Sequence, residues 1–323
     1  MLQRPTLRDV LEAKRTIRPY LYRTPLYNYP LLSDLVGCDL FVKLERHQPI
    51  GAFKVRGGIN LLAHLSDEEK RRGVICATVG NTGQSLAYAA HLFSVRCMIV
   101  MPVEANPNKA AAIRQWGAEV MYHGRYWNES DRYAAQIAEE EGYRHVRGGN
   151  EPLLIAGVAT ETLEILEDQP DIEVILVPAG GGSGVSGACI VAKAIDPAIQ
   201  VYAVQMERAA SLYLSWKQGR PTEVPCQSWA EGINSGMPDS LPLEILCALL
   251  DDFILVGDDE TWEAVWHYIE QTRNLVEGGG AATLAAAIKI KDRLRNRKVA
   301  VIASGGNPEN LIVEKMRQAL ATR

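Results

Sequence analysis

No stretch of this sequence reaches the roughly 18 consecutive apolar residues that a membrane helix needs, and the N-terminus MLQRPTLRDVLEAKR is charged throughout, without an apolar secretory core. No membrane partner is expected. The basic residues form no block or stripe, and 34 Lys+Arg against 39 Asp+Glu leave a net charge of -5, so a phosphodiester backbone finds nothing to select. Nucleic-acid binding is not expected either. The six cysteines lie far apart, with no CxxC pair and no Cys/His cluster at zinc spacing. They read as buried thiols in a reducing compartment, those of a soluble, cytoplasmic protein. Repeats, low-complexity linkers and charge blocks are lacking too, so composition marks no domain boundary.

What is present is apolar material in short runs. At 323 residues and 47% hydrophobic, the chain has room for about two domains of roughly 150 residues each. The runs VICAT (74–78), CMIVM (97–101), EVILVP (173–178), QVYAV (200–204), FILVG (253–257) and VAVIA (299–303) alternate with longer helical patterns. Strands buried on both faces look like this, and helices between them imply right-handed βαβ crossovers. The fold class is α/β, with two open, mainly parallel sheets expected from the series at roughly 74–146 and 173–303. Ser66 with Glu69 three residues on has capping-box spacing, and Gly117 follows the helical pattern NKAAAIRQW. Little chain follows the last run, so an appended effector-binding domain is not expected.

Four segments carry candidate chemistry. GAFKVRGG (51–58) sets Lys54 among glycines and apolar residues, where the side chain either snorkels to water or sits where losing its proton is useful. VPAGGGSGVSGA (177–188) turns from a strand through glycines into a helix, so its backbone N–H groups and helix start form an anion nest suited to phosphate. It lacks the GxxxxGK[ST] spacing of a nucleotide P-loop. A dinucleotide site is also disfavoured, because Gln205 stands near where an acidic residue is required. A tight turn with glycines for close packing remains the plain alternative. In TVGNTGQSLAYAA (78–90), Thr78, Asn81 and Thr82, with the amides of Gly80 and Gly83, suit a carboxylate or a ring hydroxyl, or form an ordinary polar helix cap. In ASGGNPE (303–309), Ser304 falls at the C-terminal end of a strand, where open α/β sheets bind ligands. Three such loops with one desolvated lysine suggest a cofactor held by its phosphate at one end and by an amine-reactive carbonyl at the other. Pyridoxal 5'-phosphate fits.

Taken together, RTPL (23–26), KLE (43–45), GAFKVRGG, the GNTGQ and GGGSG loops, Glu277 in VEGGGAA and SGGN (304–307) resemble the fold-type II pyridoxal-phosphate enzymes, specifically the serine/threonine dehydratase and serine racemase group. The resemblance spans nearly the whole chain. It implies a tryptophan synthase β-like architecture with a large cofactor-binding domain (1–50 plus 148–323), a small mobile domain (51–147) and the cofactor between them. It also implies a homodimer acting on a small amino acid. Lys54 matches the Schiff-base lysine and Phe53 the aromatic neighbour that packs on the cofactor. Asn81 matches the partner of the ring hydroxyl, Gly180, Gly181, Gly182, Ser183 and Gly184 the phosphate cradle, and Ser304 the partner of the pyridine nitrogen. Glu277 falls near the cofactor, and Thr78, Gly80, Asn81 and Thr82 fall in the loop that holds the substrate carboxylate. A hydroxyl at Ser304 donates to the nitrogen without keeping it charged, which favours loss of a β-leaving group over transamination. The expected reaction is α,β-elimination of water from threonine, serine or a bulkier analogue such as hydroxyaspartate or phenylserine. β-Replacement, as in sulfhydrylases and cystathionine synthases, and racemisation are the alternatives.

Departures from the pattern sharpen this. Val79 stands where racemases place a serine as acid/base on the second face of the substrate, and valine carries no proton. Gln205 and Ser211 replace acidic ligands of a divalent cation, so a Mg or Ca site is doubtful even with Glu207 nearby. Ala52 and Ile50 replace hydroxyl residues, drying or widening the pocket.

Overall fold

The structure, a computed structural model, describes residues 2–321. Ten strands are present among the described residues: β1 (Leu26–Asn28), β2 (Asp39–Leu44), β3 (Val74–Ala77), β4 (Cys97–Met101), β5 (Glu119–Tyr122), β6 (Arg144–His145), β7 (Val174–Pro178), β8 (Gln200–Met206), β9 (Asp252–Val256) and β10 (Lys298–Ala303). They form two sheets, ordered β1-β2-β10-β7-β8-β9 and β5-β4-β3-β6. Among the described strand pairs, β1–β2 is antiparallel and the rest are parallel.

Both faces of each sheet are packed, which is why the strands read as continuous apolar runs. In the larger sheet, Leu40, Val42, Leu176 and Val204 join one core while Phe41, Ile175, Val177 and Ala203 join the other. In the smaller, Cys76 and Ile99 face one way and Ile75 and Val100 the other. Alternation at period two between two apolar layers is the signature of a helix-covered parallel sheet.

The six expected strands all form, with ends shifted by a residue or two; β8, for example, runs on to Met206. Four more were not expected: β1 is three residues long, β6 two, β5 carries Glu119, and β2 contains a buried lysine, Lys43. Ser66 and Glu69 form both bonds of the capping box. The helix before Gly117 is shorter than its pattern, ending at Arg114, with Gly117 in the left-handed region beyond it.

Strand order also locates a binding crevice. From β7 the chain moves outward through β8 and β9, then returns to place β10 on the other side of β7. The loops after β7 and β10 therefore diverge, leaving a crevice at the strands' carboxyl ends, the topological switch point where such sheets take ligands.

Candidate active site

One cleft of about 640 Å³ opens at that switch point, lined by Phe53 and Lys54, the 78–82 loop, the 180–184 turn, Glu277 and Ser304. Each arrives on a different element. Residues 180–184 follow β7, Ser304 follows β10, and the 78–82 loop follows β3 of the smaller sheet.

The segment before Lys54 is pinned to the end of β10. The Phe53 N–H donates to the Ser304 carbonyl at 2.9 Å, the Gly306 N–H to the Gly51 carbonyl at 2.8 Å, and Asn307 Nδ2 to the Ile50 carbonyl at 2.9 Å. Lys54 then opens the helix Val55–Ala63, and Ser85 Oγ donates to its carbonyl at 2.6 Å. Held this way, the side chain points into the cleft, where Nζ meets Ser183 Oγ at 2.7 Å and lies 4.7 Å from the Phe53 ring centre. Burial pushes the Lys54 ammonium down to about 8, partly offset by Glu161 and Asp239. The sign follows directly: below about pH 8 the group is a protonated, unreactive ammonium, and above it a free amine. Cofactor-free protein treated with an amine-acylating reagent is expected to label at Lys54 with a midpoint near pH 8, whereas ordinary lysines follow a midpoint near about 10.4. Mass-spectrometric labelling rates across pH check this, and a Lys54 midpoint among the ordinary lysines would refute it.

The glycine turn presents an open cradle. Gly182 has φ +91°, a conformation other residues resist, and a Cβ on Gly181 would meet nothing within 4 Å because it would project into the cleft. Gly184 packs against the Phe53 ring, which in turn rests on Leu154 and Val158. Backbone amides at the start of the helix Ser183–Ile195, which has no side-chain cap, face this space. An open, amide-rich nest beside a buried amine of lowered pKa fits a group carrying a phosphate and an aldehyde. The residues present therefore suit pyridoxal phosphate.

Across the cleft, Asn81 Nδ2 donates to Glu277 Oε1 at 2.7 Å, and its Oδ1 accepts from Asn307 Nδ2 at 2.9 Å. Glu277 takes the N-cap position of the helix Gly278–Lys289, yet its side chain makes no capping bond. It turns inward to Asn81 and the Asn307 amide instead. Burial, then the neighbouring Glu309, raise the Glu277 carboxyl well above the usual range. In the 78–82 loop the Gly80 N–H donates to Thr78 Oγ1 at 3.0 Å.

Sequence reasoning missed two charged residues that line the cleft, Lys109 and Glu231. Lys109 lies in the helix Pro107–Arg114, Glu231 in a short 3-10 turn, and their side chains pair at 2.6 Å. Neither stood in a motif; one lysine in an alanine-rich helix carries no signal until tertiary structure supplies its partner. Val79 lines the same cleft.

At the positions weighed as cation ligands the side chains make other bonds. Gln205 Oε1 accepts from the Tyr213 N–H at 3.1 Å, Ser211 Oγ donates to the Ser235 carbonyl at 2.6 Å, and Glu207 pairs with Lys289 at 3.0 Å. Among the described residues, no group of three or more His, Cys, Asp or Glu side chains could hold a metal ion. No described helix is long and apolar enough to cross a membrane.

Comparison with known proteins agrees with this geometry. The L-threonine ammonia-lyase of Thermotoga maritima is 37% identical over 312 residues, covering 96% of this chain and 78% of the relative. The catabolic L-threonine dehydratase of Escherichia coli is 34% identical over 302 residues, 93% of this chain and 92% of that one. Among solved structures, maize serine racemase superposes with a TM-score of 0.92 at 30% identity, covering 99% of both chains. The family described as pyridoxal-phosphate dependent enzyme matches residues 17–305. With its cleft at the switch point, its amide cradle and its buried amine, the chain belongs to the pyridoxal-phosphate dependent enzymes.

Proposed function

We propose that this protein is a lyase that removes water from a β-hydroxy α-amino acid of the threonine/serine class, releasing a 2-keto acid and ammonia. The observation that carries this is Lys54: a buried amine with a pKa near 8, bonded to Ser183 at the mouth of the phosphate cradle. Bound pyridoxal phosphate supplies an electron sink that acidifies the substrate's Cα–H bond. The 180–184 amides would hold its phosphate, Asn81 and Ser304 would contact its ring, and Phe53 supports the cradle from behind.

Lys54 Nζ has two tasks, and both require its neutral form. It anchors the cofactor, then, once displaced, takes the Cα proton of the substrate. Ser183 Oγ keeps the amine pointed into the cleft between these events. The Cα–H and Cβ–O bonds break, the C–H electron pair becomes the Cα–Cβ double bond, the hydroxyl leaves as water with the proton that Lys54 took from Cα, and the released enamine hydrolyses to keto acid and ammonia. Val79 contributes only methyl groups to the cleft, so it offers no acid for reprotonation of Cα, which disfavours racemisation.

The same reading includes division of the chain into 1–50 plus 148–323 and a smaller, moving unit at 51–147. The four strands of the smaller sheet all fall within the latter range, which supports it. It also includes a homodimer in the cytoplasm, a location in keeping with six free cysteines. Release of ammonia and 2-keto acid from a panel of L- and D-serine, L-threonine, hydroxyaspartates and phenylserine tests the reaction. Turnover of one member is expected. Silence across the panel, or a thioether formed from O-acetylserine and a thiol, would overturn elimination in favour of β-replacement.

A further inference from the structure

Glu161 is a buried acid that the proposed chemistry leaves without a task. It sits on the helix Pro152–Asp168, is 1% exposed, and its Oε2 has no hydrogen-bond partner among the described residues. An unpaired buried carboxyl oxygen costs stability, so its presence needs a reason. A Cβ on Gly184 would lie 3.7 Å from Glu161 Oε1 and 3.1 Å from the Phe53 ring, so the acid meets the back of the glycine cradle where Phe53 supports it. Lys54 Nζ lies over the same ring and is bonded to Ser183, the residue next to Gly184.

The charges around Glu161 leave it one counterpart. Glu45, Arg56, Lys43 and Lys54 face it. Arg56 donates to Glu45 and Glu164, and Lys43 Nζ donates to Glu164 and the Thr24 carbonyl, so both of those cations are already engaged. The helices Leu7–Ile17 and Ser183–Ile195, also packed on this one, direct Lys14 to Glu167 and Lys193 to Asp251. Lys54 remains. Asp239, the other acid facing it, pairs with Arg147 at 3.3 Å and accepts from Asn150 Nδ2 at 3.1 Å. Burial, then Glu45, raise the Glu161 carboxyl well above the usual range. An acid of raised pKa and an amine of lowered pKa in one apolar space titrate as a pair and exchange a proton at little cost.

An amino acid arrives with its amine as an ammonium. When it takes the place of Lys54, the lysine leaves with three N–H bonds and no lone pair, and it must lose one proton before it can take another from Cα. We propose that Glu161 accepts that proton from Lys54. The N–H electron pair stays on Nζ as its lone pair, and the proton forms an O–H bond on the carboxylate. It returns to solvent before the next turnover, matched by the proton that the product ammonia takes up. Glu161 thus acts through Lys54 and never on the substrate. This rests on Lys54 as the Cα base in the proposed function, and not on what leaves Cβ.

The test uses L-alanine, which has no β-leaving group, and follows exchange of its Cα hydrogen for deuterium by the holoenzyme in deuterated water. Glu161→Gln keeps the shape of the side chain but cannot take the proton as a carboxylate does. Exchange in this variant is expected to fall about 10²-fold at pH 7, the lower end of what a placed proton acceptor contributes. The deficit should narrow as pH rises, because hydroxide then takes the proton from Lys54. Cofactor-free Glu161→Gln gives a second readout. Without the carboxylate that supports the ammonium, the amine-labelling midpoint of Lys54 should fall below that of wild type. Should Glu161→Gln not fold, Glu161→Met, which fills the site with an apolar chain, carries both comparisons. No exchange by wild type, a deficit that is the same at every pH, or an unchanged labelling midpoint would overturn the proposal and leave Glu161 a structural residue. Exchange that behaves as expected beside a silent substrate panel would instead count against the elimination alone.

Discussion

Replacing Lys54 with alanine is expected to lower turnover by at least about 10³-fold, because one residue serves as both cofactor anchor and Cα base. The fold should survive. The Lys54 side chain makes one hydrogen bond, to Ser183, and its removal takes a charge out of an apolar environment. Thermal midpoints of the cofactor-free proteins should therefore match within a few degrees. Lys54→Arg should be equally inactive, since a guanidinium keeps its proton at any accessible pH and cannot act as nucleophile or base. Initial rates of keto-acid formation check the two activity statements, and thermal melts of the cofactor-free proteins check the third. Retention of a tenth of the wild-type rate in Lys54→Ala would remove the lysine from the chemistry.

The second large effect concerns stability. Arg56, two residues beyond Lys54, is 0% exposed and uses its whole guanidinium fork. Its Nε and Nη2 donate to Glu45 at 2.8 Å each, and Nη1 and Nη2 donate to Glu164 at 2.8 Å each. Thr160 Oγ1 at 3.1 Å and Thr24 Oγ1 at 3.3 Å complete the shell. Lys43 Nζ pairs with Glu164 at 2.6 Å, so two cations offset two carboxylates in a sealed space. Arg56→Met breaks that balance and leaves Glu45, also 0% exposed, without its charge partner. Removing one member of a buried pair costs about 3–5 kcal/mol. Against a total stability of about 5–15 kcal/mol that is a large share. Urea unfolding of Arg56→Met should show a much lower midpoint, and Arg56→Lys should recover little, because a point charge cannot reproduce the fork. An unchanged midpoint would mean that the cluster is not buried as described. The cluster matters to function because it anchors the first turn of the helix that Lys54 opens.

The same cluster shows where the sequence was hard to read. β7 and β10 announced themselves because both faces of each are apolar. β2 did not, since DLFVKL holds a lysine, and a charge in a central strand is expected only where a partner distant in sequence, here Glu164, neutralises it. β1 and β6 are too short for any periodicity to register. Local patterns marked the glycine turn, Lys54, Asn81 and Ser304 as candidates, since each lies where a loop meets a strand end or a helix start, and the family resemblance supplied their roles. Lys109 and Glu231 lie far apart in sequence and acquire meaning only when the two sheets bring them within 2.6 Å. The contacts of Glu277 were hidden for a similar reason: the resemblance puts it near the cofactor, but only the fold brings Asn81 and Asn307 to its carboxyl.

The most direct measurement follows one substrate that turns over, incubated in deuterated water, and quantifies keto acid, ammonia and the configuration of unreacted substrate together. Elimination from the Lys54 face predicts equal amounts of keto acid and ammonia, with residual substrate of unchanged configuration. Accumulation of the opposite enantiomer carrying deuterium at Cα, with little keto acid, would contradict it and make the protein a racemase with an acid on the second face.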